Sequence, residues 1–241
     1  MLEIKPRHLK FFIAIKKKYF STTKIPEKHN WRKRTNNELW LQLIKQVMVV
    51  GSSASAKRFD DNKKVQKEAS FARLKNIKNK TNLEKAINHI LRSTGTRFAS
   101  ANISKCRKTQ ALVHNFKILE KYSGGLKGLL RKLSKFGGSD VDIRRIRYLM
   151  KIFKFIQSKS ARDYLMEVGL VRNAVAFDVR IQNIFKREGI KFLRGLQTNQ
   201  KLYDVTEAAV LAGVCKPAGL LGVEFDRLLV QNYREIMISF G

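Results

Sequence analysis

Residues 155–185, FIQSKSARDYLMEVGLVRNAVAFDVRIQNIF, decide how the rest of the sequence is interpreted. The pattern predicts a helix over KSARDYLMEV that ends at Gly169, then a loop that leads to Asp178 and a second helix. Lys159 therefore starts one helix, and Asp178 precedes the next one 19 residues later. From the local pattern alone, Lys159 is a solvated lysine at a helix start and Asp178 is an N-cap, and a capping role leaves Asp178 open to a second one.

Helical periodicity extends outward from this segment over most of the chain. NNELWLQLIKQVMVV, from residue 36, repeats apolar residues at helical spacing, and Asn36 or Asn37 is the expected N-cap. No run shows the alternation of a strand, so the sequence predicts an all-α protein. Further helices are predicted over 60–76, 83–94, 105–122 and 126–136.

The chain is strongly basic over its whole length. It has 241 residues, of which 50 are Lys or Arg and 19 are Asp or Glu, so its formal net charge is +31. Hydrophobic residues make up 44%, which is typical of a folded protein rather than a disordered tail. A folded surface this basic attracts polyanions, and nucleic acid is the commonest of them.

The cysteines and histidines exclude several kinds of site. Two cysteines, Cys106 and Cys215, are too few for a four-cysteine iron–sulfur cluster, a Cys₄ zinc site or a disulfide framework. The four histidines show no metal-ligand spacing. We therefore predict no cofactor, no metal and a reducing intracellular compartment. The apolar runs are also too short for a membrane span.

Residues 155–185 resemble the helix–hairpin–helix DNA glycosylase superfamily, and most closely its archaeal-type 8-oxoguanine DNA glycosylase/AP lyases. In bifunctional members a lysine opens the second hairpin helix, and an aspartate follows about eighteen residues later. LWLQLIKQVMVVGSSASA, LRSTGTRFASANISKCRKTQ and GVEFDRLLVQNYREI resemble flanking segments of the same proteins. The resemblance covers about residues 36–238 and implies a two-lobed helical fold without an iron–sulfur cluster.

One departure concerns the residues just before the lysine. The family hairpin usually reads Gly-x-Gly there, and its backbone amides approach a DNA phosphate. This chain instead has Phe155, Ile156, Gln157 and Ser158. Their presence casts doubt on hairpin-mediated DNA binding, although Ser158 can cap the helix.

The resemblance implies a DNA glycosylase with AP-lyase activity on oxidised purines, and a damaged base in double-stranded DNA as its target. Lys159 is then the nucleophile that forms a Schiff base with the sugar, and Asp178 stabilises the developing positive charge. The target base must first leave the duplex stack. The candidate nucleic-acid contacts are Ser158, Arg172, Arg180, Lys186 and Arg187.

The first thirty residues differ from the rest of the chain. They are basic, amphipathic and poor in acids, which is typical of a mitochondrial transit peptide or of a basic arm that binds nucleic acid. The expected division is residues 1–30 as this segment and 31–241 as the helical glycosylase-like domain. The alternative function is a structural component of a mitochondrial ribosome that binds rRNA and ribosomal proteins. A charge of +31 exceeds what one damaged site needs and favours that alternative.

Overall fold

The computed structural model describes residues 2–239, which form helices, turns and loops without a strand. The predicted all-α class is confirmed. Met1, Phe240 and Gly241 lie outside the described residues, so the outer ends of the predicted segments 1–30 and 31–241 do too. No described helix is both long and apolar enough to cross a membrane.

The chain divides into two compact units. The continuous unit is His29–Ile156, and the discontinuous unit combines Met1–Lys28 with Gln157–Gly241. Helices α2–α9 belong to the continuous unit, whereas α1 and α10–α14 belong to the discontinuous unit. In chain order they are α1 (Pro6–Tyr19), α2 (Asn36–Met48), α3 (Ala54–Asp61), α4 (Lys63–Glu68), α5 (Phe71–Lys75), α6 (Lys80–Ser93), α7 (Arg107–Glu120), α8 (Gly125–Ser134), α9 (Val141–Ile152), α10 (Ser158–Glu167), α11 (Val179–Arg187), α12 (Gln200–Val210), α13 (Gly222–Gln231) and α14 (Tyr233–Ser239).

Side-chain caps set several helix ends that periodicity alone missed. The predicted helix over 60–76 is wrong, because this stretch holds the end of α3 followed by α4 and α5. Asn62 accepts a hydrogen bond from the backbone N–H of Val65 (3.1 Å), and Ser70 accepts one from that of Arg73 (3.4 Å). Each cap starts a new helix, because it satisfies N–H groups that have no partner within the helix.

The start of α2 also differs by one residue from the prediction. Thr35, rather than Asn36 or Asn37, is the N-cap, and its hydroxyl accepts the N–H of Glu38 at 3.1 Å. The Glu38 carboxylate accepts the N–H of Thr35 in return at 2.6 Å. This reciprocal capping box fixes the first turn of α2.

The core of the continuous unit forms around the aromatic ring of Trp40. The ring centroid of Trp40 lies 6.1 Å from that of Phe71 and 5.5 Å from that of Phe116. The indole N–H donates to the carbonyl oxygen of Ala69 at 3.0 Å. Trp40 is fully buried, so its one polar atom needs this partner.

Helix α1 contributes to the core of the discontinuous unit. Phe12 and Ile15 are buried, and the Phe12 ring centroid lies 5.0 Å from that of Phe185 and 5.3 Å from that of Phe225. The Lys16 amine also donates to the carbonyl oxygen of Ala218 at 2.7 Å. The basic, amphipathic pattern of this segment therefore accompanies a packed helix.

Residues after α1 continue this packing along α13. The backbone N–H of Lys24 donates to Gln231 (2.9 Å), and the Gln231 amide donates back to the Lys24 carbonyl (2.8 Å). Asn232 donates to the hydroxyl of Thr23 at 3.1 Å. A transit-peptide role of residues 1–30 stays a prediction.

Truncating Phe12 should destabilise the discontinuous unit. We expect Phe12→Ala to lower the free energy of unfolding by about 3–5 kcal/mol, because it leaves a cavity between buried rings. Ile13→Ala is the matched control, since Ile13 lies on the same helix with 42% of its surface exposed. Urea unfolding of both variants is the measurement. An equal decrease in the free energy of unfolding in the two variants would show that burial of the α1 face adds nothing to stability beyond helix propensity.

Candidate active site

Lys159 lies in the first turn of α10, as the sequence predicts. The N-cap is Gln157, whose backbone N–H donates to the Ser160 hydroxyl at 2.9 Å. The Lys159 side chain is 27% exposed, and its Nζ donates to the Asp163 carboxylate at 3.0 Å. The amine thus lies at the protein surface, where a ligand can reach it, but its direction is fixed by an ion pair.

Asp178 is the N-cap of α11. One carboxylate oxygen accepts the backbone N–H groups of Arg180 (3.0 Å) and Ile181 (3.1 Å). The other accepts the Nε of Arg180 at 2.8 Å and also its Nη2. The side chain is 14% exposed. The predicted capping role is present, and Arg180 pairs with this carboxylate.

Lys159 and Asp178 make no direct hydrogen bond or ion pair with each other among the described residues. Buried side chains instead hold the loop that leads to Asp178. The N–H of Val175 donates to Glu207 (2.7 Å), that of Ala176 to Asp226 (2.8 Å) and that of Phe177 to the Tyr203 hydroxyl (2.8 Å). Three consecutive backbone donors thus have side-chain acceptors, so the loop backbone is fixed up to Asp178.

Arg162 links α10 to the first of these acceptors. It is fully buried, and its guanidinium donates to both carboxylate oxygens of Glu207 at 2.8 and 2.7 Å. It also donates to Asp204 at 2.8 Å and lies 4.2 Å from the centroid of the Tyr203 ring. Because Glu207 binds Val175 as well, one chain of contacts runs from α10 to the loop.

Asp163 links α10 to the second acceptor through Arg227. The Arg227 guanidinium donates to Asp163 at 3.0 Å and to Asp226 at 2.9 Å, and lies 3.5 Å from the Glu167 carboxylate. Asp226 is fully buried. Burial raises the pKa of Asp226 to about 7, although the charge of Arg227 acts in the opposite direction.

Two of the predicted phosphate contacts also bind backbone carbonyls. Arg172 donates to the carbonyl oxygen of Pro26, and Arg187 donates to those of Ile236 (3.0 Å) and Met237 (2.9 Å). These bonds hold Arg172 against the segment that follows α1, and Arg187 against α14. Their contact with nucleic acid stays a prediction.

The remaining predicted contacts differ in exposure. Lys186 is exposed on α11, where its amine is open to a phosphate. Ser158 is 3% exposed, is the first helical residue rather than the cap, and donates to the Gln200 side chain. Among residues 2–239 no group of three or more metal-ligating side chains is placed to hold an ion.

Comparison with solved structures gives the fold. The 8-oxoguanine DNA glycosylase of Methanocaldococcus jannaschii matches over 97% of this chain and 94% of its own, with a TM-score of 0.64 and 16% identity. That of Thermotoga maritima matches over 98% and 97%, with a TM-score of 0.61 and 19% identity. The chain has the fold of these glycosylases.

A third match is the M. jannaschii 8-oxoguanine glycosylase/lyase in complex with a 15mer DNA containing 8-oxoguanine. It covers 95% of this chain and 98% of its own, with a TM-score of 0.62 and 15% identity. No protein-family model and no curated protein sequence matches the chain. The resemblance predicted from residues 155–185 is thus confirmed at the level of the fold.

The segment between α9 and α10 supplies the backbone conformation that the missing glycines would favour. Phe155 has a φ of 61°, in the left-handed region that a residue with a Cβ rarely adopts. The side chain of the buried Asn115 holds this turn from within the continuous unit: it accepts the N–H of Lys154 (2.7 Å) and donates to its carbonyl (2.9 Å). The Arg107 guanidinium lies 6.0 Å from the centroid of the Phe155 ring. The turn exists here without glycine, at a conformational cost.

The continuous unit presents an exposed aromatic residue that sequence analysis did not single out. Phe98 is 69% exposed and has a φ of 65°. The Arg97 guanidinium lies 4.8 Å from the centroid of its ring and donates to the Gly51 carbonyl at 3.1 Å. The loop between α6 and α7, which contains both residues, therefore exposes a large apolar ring to solvent beside a cation.

The buried charges around Lys159 were also missed. In a chain of net charge +31, carboxylates at positions of apolar periodicity on a helix are the available signal, and Glu207 and Asp226 fit it. Asp163 offers a second signal, since it follows Lys159 by four residues, where an ion pair forms on a helix. Which arginine each carboxylate binds depends on tertiary packing.

Replacing Phe155 should reveal the strain at its turn. Alanine is normally more favourable than glycine, but at a φ of 61° we expect Phe155→Gly to be more stable than Phe155→Ala by about 1 kcal/mol. Both variants lose the ring, so their difference reports the backbone alone. Urea unfolding measures it, and an alanine variant at least as stable as the glycine variant would contradict the left-handed conformation.

The raised pKa of Asp226 should give stability a measurable pH dependence. Below about pH 7 the folded protein binds a proton at Asp226 more tightly than the unfolded chain does. Stability from this group is therefore lost as pH rises towards 7. Between pH 5 and 8 we expect the wild type to lose stability relative to Asp226→Asn, by at most about 1.4 kcal/mol per pH unit.

The measurement is denaturant unfolding at several pH values. Asp140→Asn is the control, since Asp140 makes no side-chain capping bond at the start of α9. Parallel pH profiles of the wild type and Asp226→Asn would contradict the prediction.

Proposed function

We propose that this protein is a DNA glycosylase with AP-lyase activity that excises an oxidised purine, such as 8-oxoguanine, from double-stranded DNA. The observation that carries the proposal is the placement of Lys159 and Asp178 in the fold of 8-oxoguanine glycosylases. Each starts a helix, and buried ion pairs connect the helix of one to the loop of the other.

Lys159 has the access and the setting that a nucleophile needs. Its side chain is partly exposed, and its ionic partner within residues 2–239 is Asp163. In the proposed reaction the neutral amine attacks the anomeric carbon of the damaged nucleotide, and the bond to the base breaks. The C1′–O4′ bond of this adduct then opens, with transfer of a proton from nitrogen to O4′, and gives the Schiff base. Loss of a C2′ proton and of the 3′ phosphate by β-elimination cleaves the strand on the 3′ side of the sugar.

Asp178 supplies a fixed negative charge. Its carboxylate is oriented by two backbone N–H groups and by Arg180, so it requires no reorganisation when positive charge develops on the sugar. Preorganised charge of this kind stabilises a cationic transition state better than a mobile carboxylate does.

The surface supports a nucleic-acid partner. The net charge of +31 favours binding to phosphates, and Phe98 is an exposed ring beside Arg97 that suits stacking on a nucleobase. The ribosomal component stays the alternative prediction, and none of the three similar structures is a ribosomal protein. Mitochondrial localisation stays a prediction as well.

Borohydride trapping tests the proposal. The wild type should form a covalent adduct with duplex DNA that contains 8-oxoguanine or an abasic site, and Lys159→Gln should abolish it, because only a primary amine forms the Schiff base. Asp178→Asn should reduce the excision rate by about 100- to 1000-fold. Asparagine keeps the capping oxygen of α11, but it removes the charge and the oxygen that accepts Arg180.

Asp140→Asn is the matched control, because it makes the same substitution at the N-cap position of α9. Its trapping should equal that of the wild type. Absence of an adduct across a panel of lesions would reject the proposal, and salt-resistant co-sedimentation with ribosomes would then support the alternative.

A further inference from the structure

The carboxylate of Asp163 bridges two cations. One oxygen accepts the Lys159 amine at 3.0 Å, and the other accepts the Arg227 guanidinium at 3.0 Å. Arg227 is in turn held by the buried Asp226, whose second oxygen accepts the backbone N–H of Ala176. The position of the Lys159 amine is therefore connected, contact by contact, to the loop that ends at Asp178.

This arrangement differs from an ordinary surface ion pair on a helix. Lys80 and Glu84 are also four residues apart, but their charged atoms are 3.8 Å apart, and the two side chains are 74% and 17% exposed. The charged atoms of Lys159 and Asp163 are 3.0 Å apart, and these side chains are 27% and 20% exposed. An exposed lysine contributes little fixed geometry, whereas a partly buried pair with a second cation on the carboxylate has one preferred arrangement.

We propose that Asp163, held in place by Arg227, is a positioning residue that directs the Lys159 amine. The inference rests on the proposed function.

The charges around the amine show why Asp163 has one position. Arg227 is the cation that Asp163 and Glu167 on α10 and Asp226 on α13 share. The neighbouring Arg162 pairs separately with Glu207 and Asp204 on α12. Asp163 therefore has Arg227 against one oxygen and the Lys159 amine, 3.0 Å away, against the other.

Reductive methylation measures the amine without any DNA. Formaldehyde and cyanoborohydride methylate a neutral, accessible amine, and mass spectrometry of a digest gives the rate at Lys159. We expect Asp163→Asn to methylate Lys159 roughly 10-fold faster at neutral pH, which corresponds to about 1.4 kcal/mol of lost interaction. The rate at the buried Lys108 in the same digest should not rise, which excludes general unfolding.

Trapping on abasic duplex DNA measures the consequence for the reaction. Asp163→Asn should lower the maximal single-turnover rate roughly 10- to 100-fold, because the amine loses its direction. Asp163→Glu should restore part of the trapping rate and bring the methylation rate back towards that of the wild type. Glu84→Gln, which removes a charge from the more widely separated Lys80–Glu84 pair, should change neither rate.

Opposite changes in the two rates support the inference, since a merely structural role would not accelerate methylation at one lysine while slowing trapping. Wild-type rates of both methylation and trapping in Asp163→Asn would overturn this inference alone. A wild-type protein that traps no adduct would overturn the proposed function and, with it, the positioning role.

Discussion

Two adjacent side chains on α10, Arg162 and Asp163, determine the geometry on which the candidate site depends. Arg162 reaches the N–H of Val175 through Glu207, and Asp163 reaches that of Ala176 through Arg227 and Asp226. The helix of the lysine and the loop before Asp178 thus share two parallel chains of ionic contacts. A shift of either element would separate several charge-assisted hydrogen bonds at once.

Stability alone does not explain why these charges are buried. Moving an arginine and a carboxylate out of water costs several kcal/mol per ion, and well-packed apolar residues often serve a core equally well or better. Unlike apolar contacts, hydrogen-bonded ion pairs require a particular direction and a particular partner. In this protein they also satisfy backbone N–H groups that no helix or strand provides for. We interpret them as the means by which an irregular loop acquires a single backbone path.

Local signals in the sequence predicted the parts of the fold that local physics decides. The periodicity of α2, the end of α10 at Gly169 and the N-cap at Asp178 each depend on a few neighbouring residues. Apart from Asp226, which adjoins Arg227, the carboxylate partners of Arg162 and Arg227 lie 42 to 64 residues away, and a single sequence contains no pairing rule for them. The caps at Asn62 and Ser70 were local, but apolar spacing continued through both of them.

The turn at Phe155 shows a different limit. A sequence motif contains glycine where the family backbone has a positive φ. The fold requires that backbone conformation rather than glycine itself, and here Phe155 adopts it. Asn115, on α7, holds this turn through two hydrogen bonds to the backbone of Lys154. Contacts from a distant helix can thus replace the intrinsic preference of a residue, and such compensation is invisible in the motif.

The discontinuous unit also has a consequence for folding during synthesis. Its core joins Phe12, near the start of the chain, to Phe185 and Phe225, and its surface joins Lys24 to Gln231. On the ribosome, α1 is made before the helices it packs against, and more than 160 residues separate the Phe12 ring from its partners Phe185 and Phe225. The continuous unit, residues 29–156, has all its partners much earlier and is expected to fold first. Helix α1 therefore lacks its packing partners during much of synthesis. In that period its apolar face and its basic residues are both open to chaperones and membranes, whereas in the folded protein the apolar face is buried.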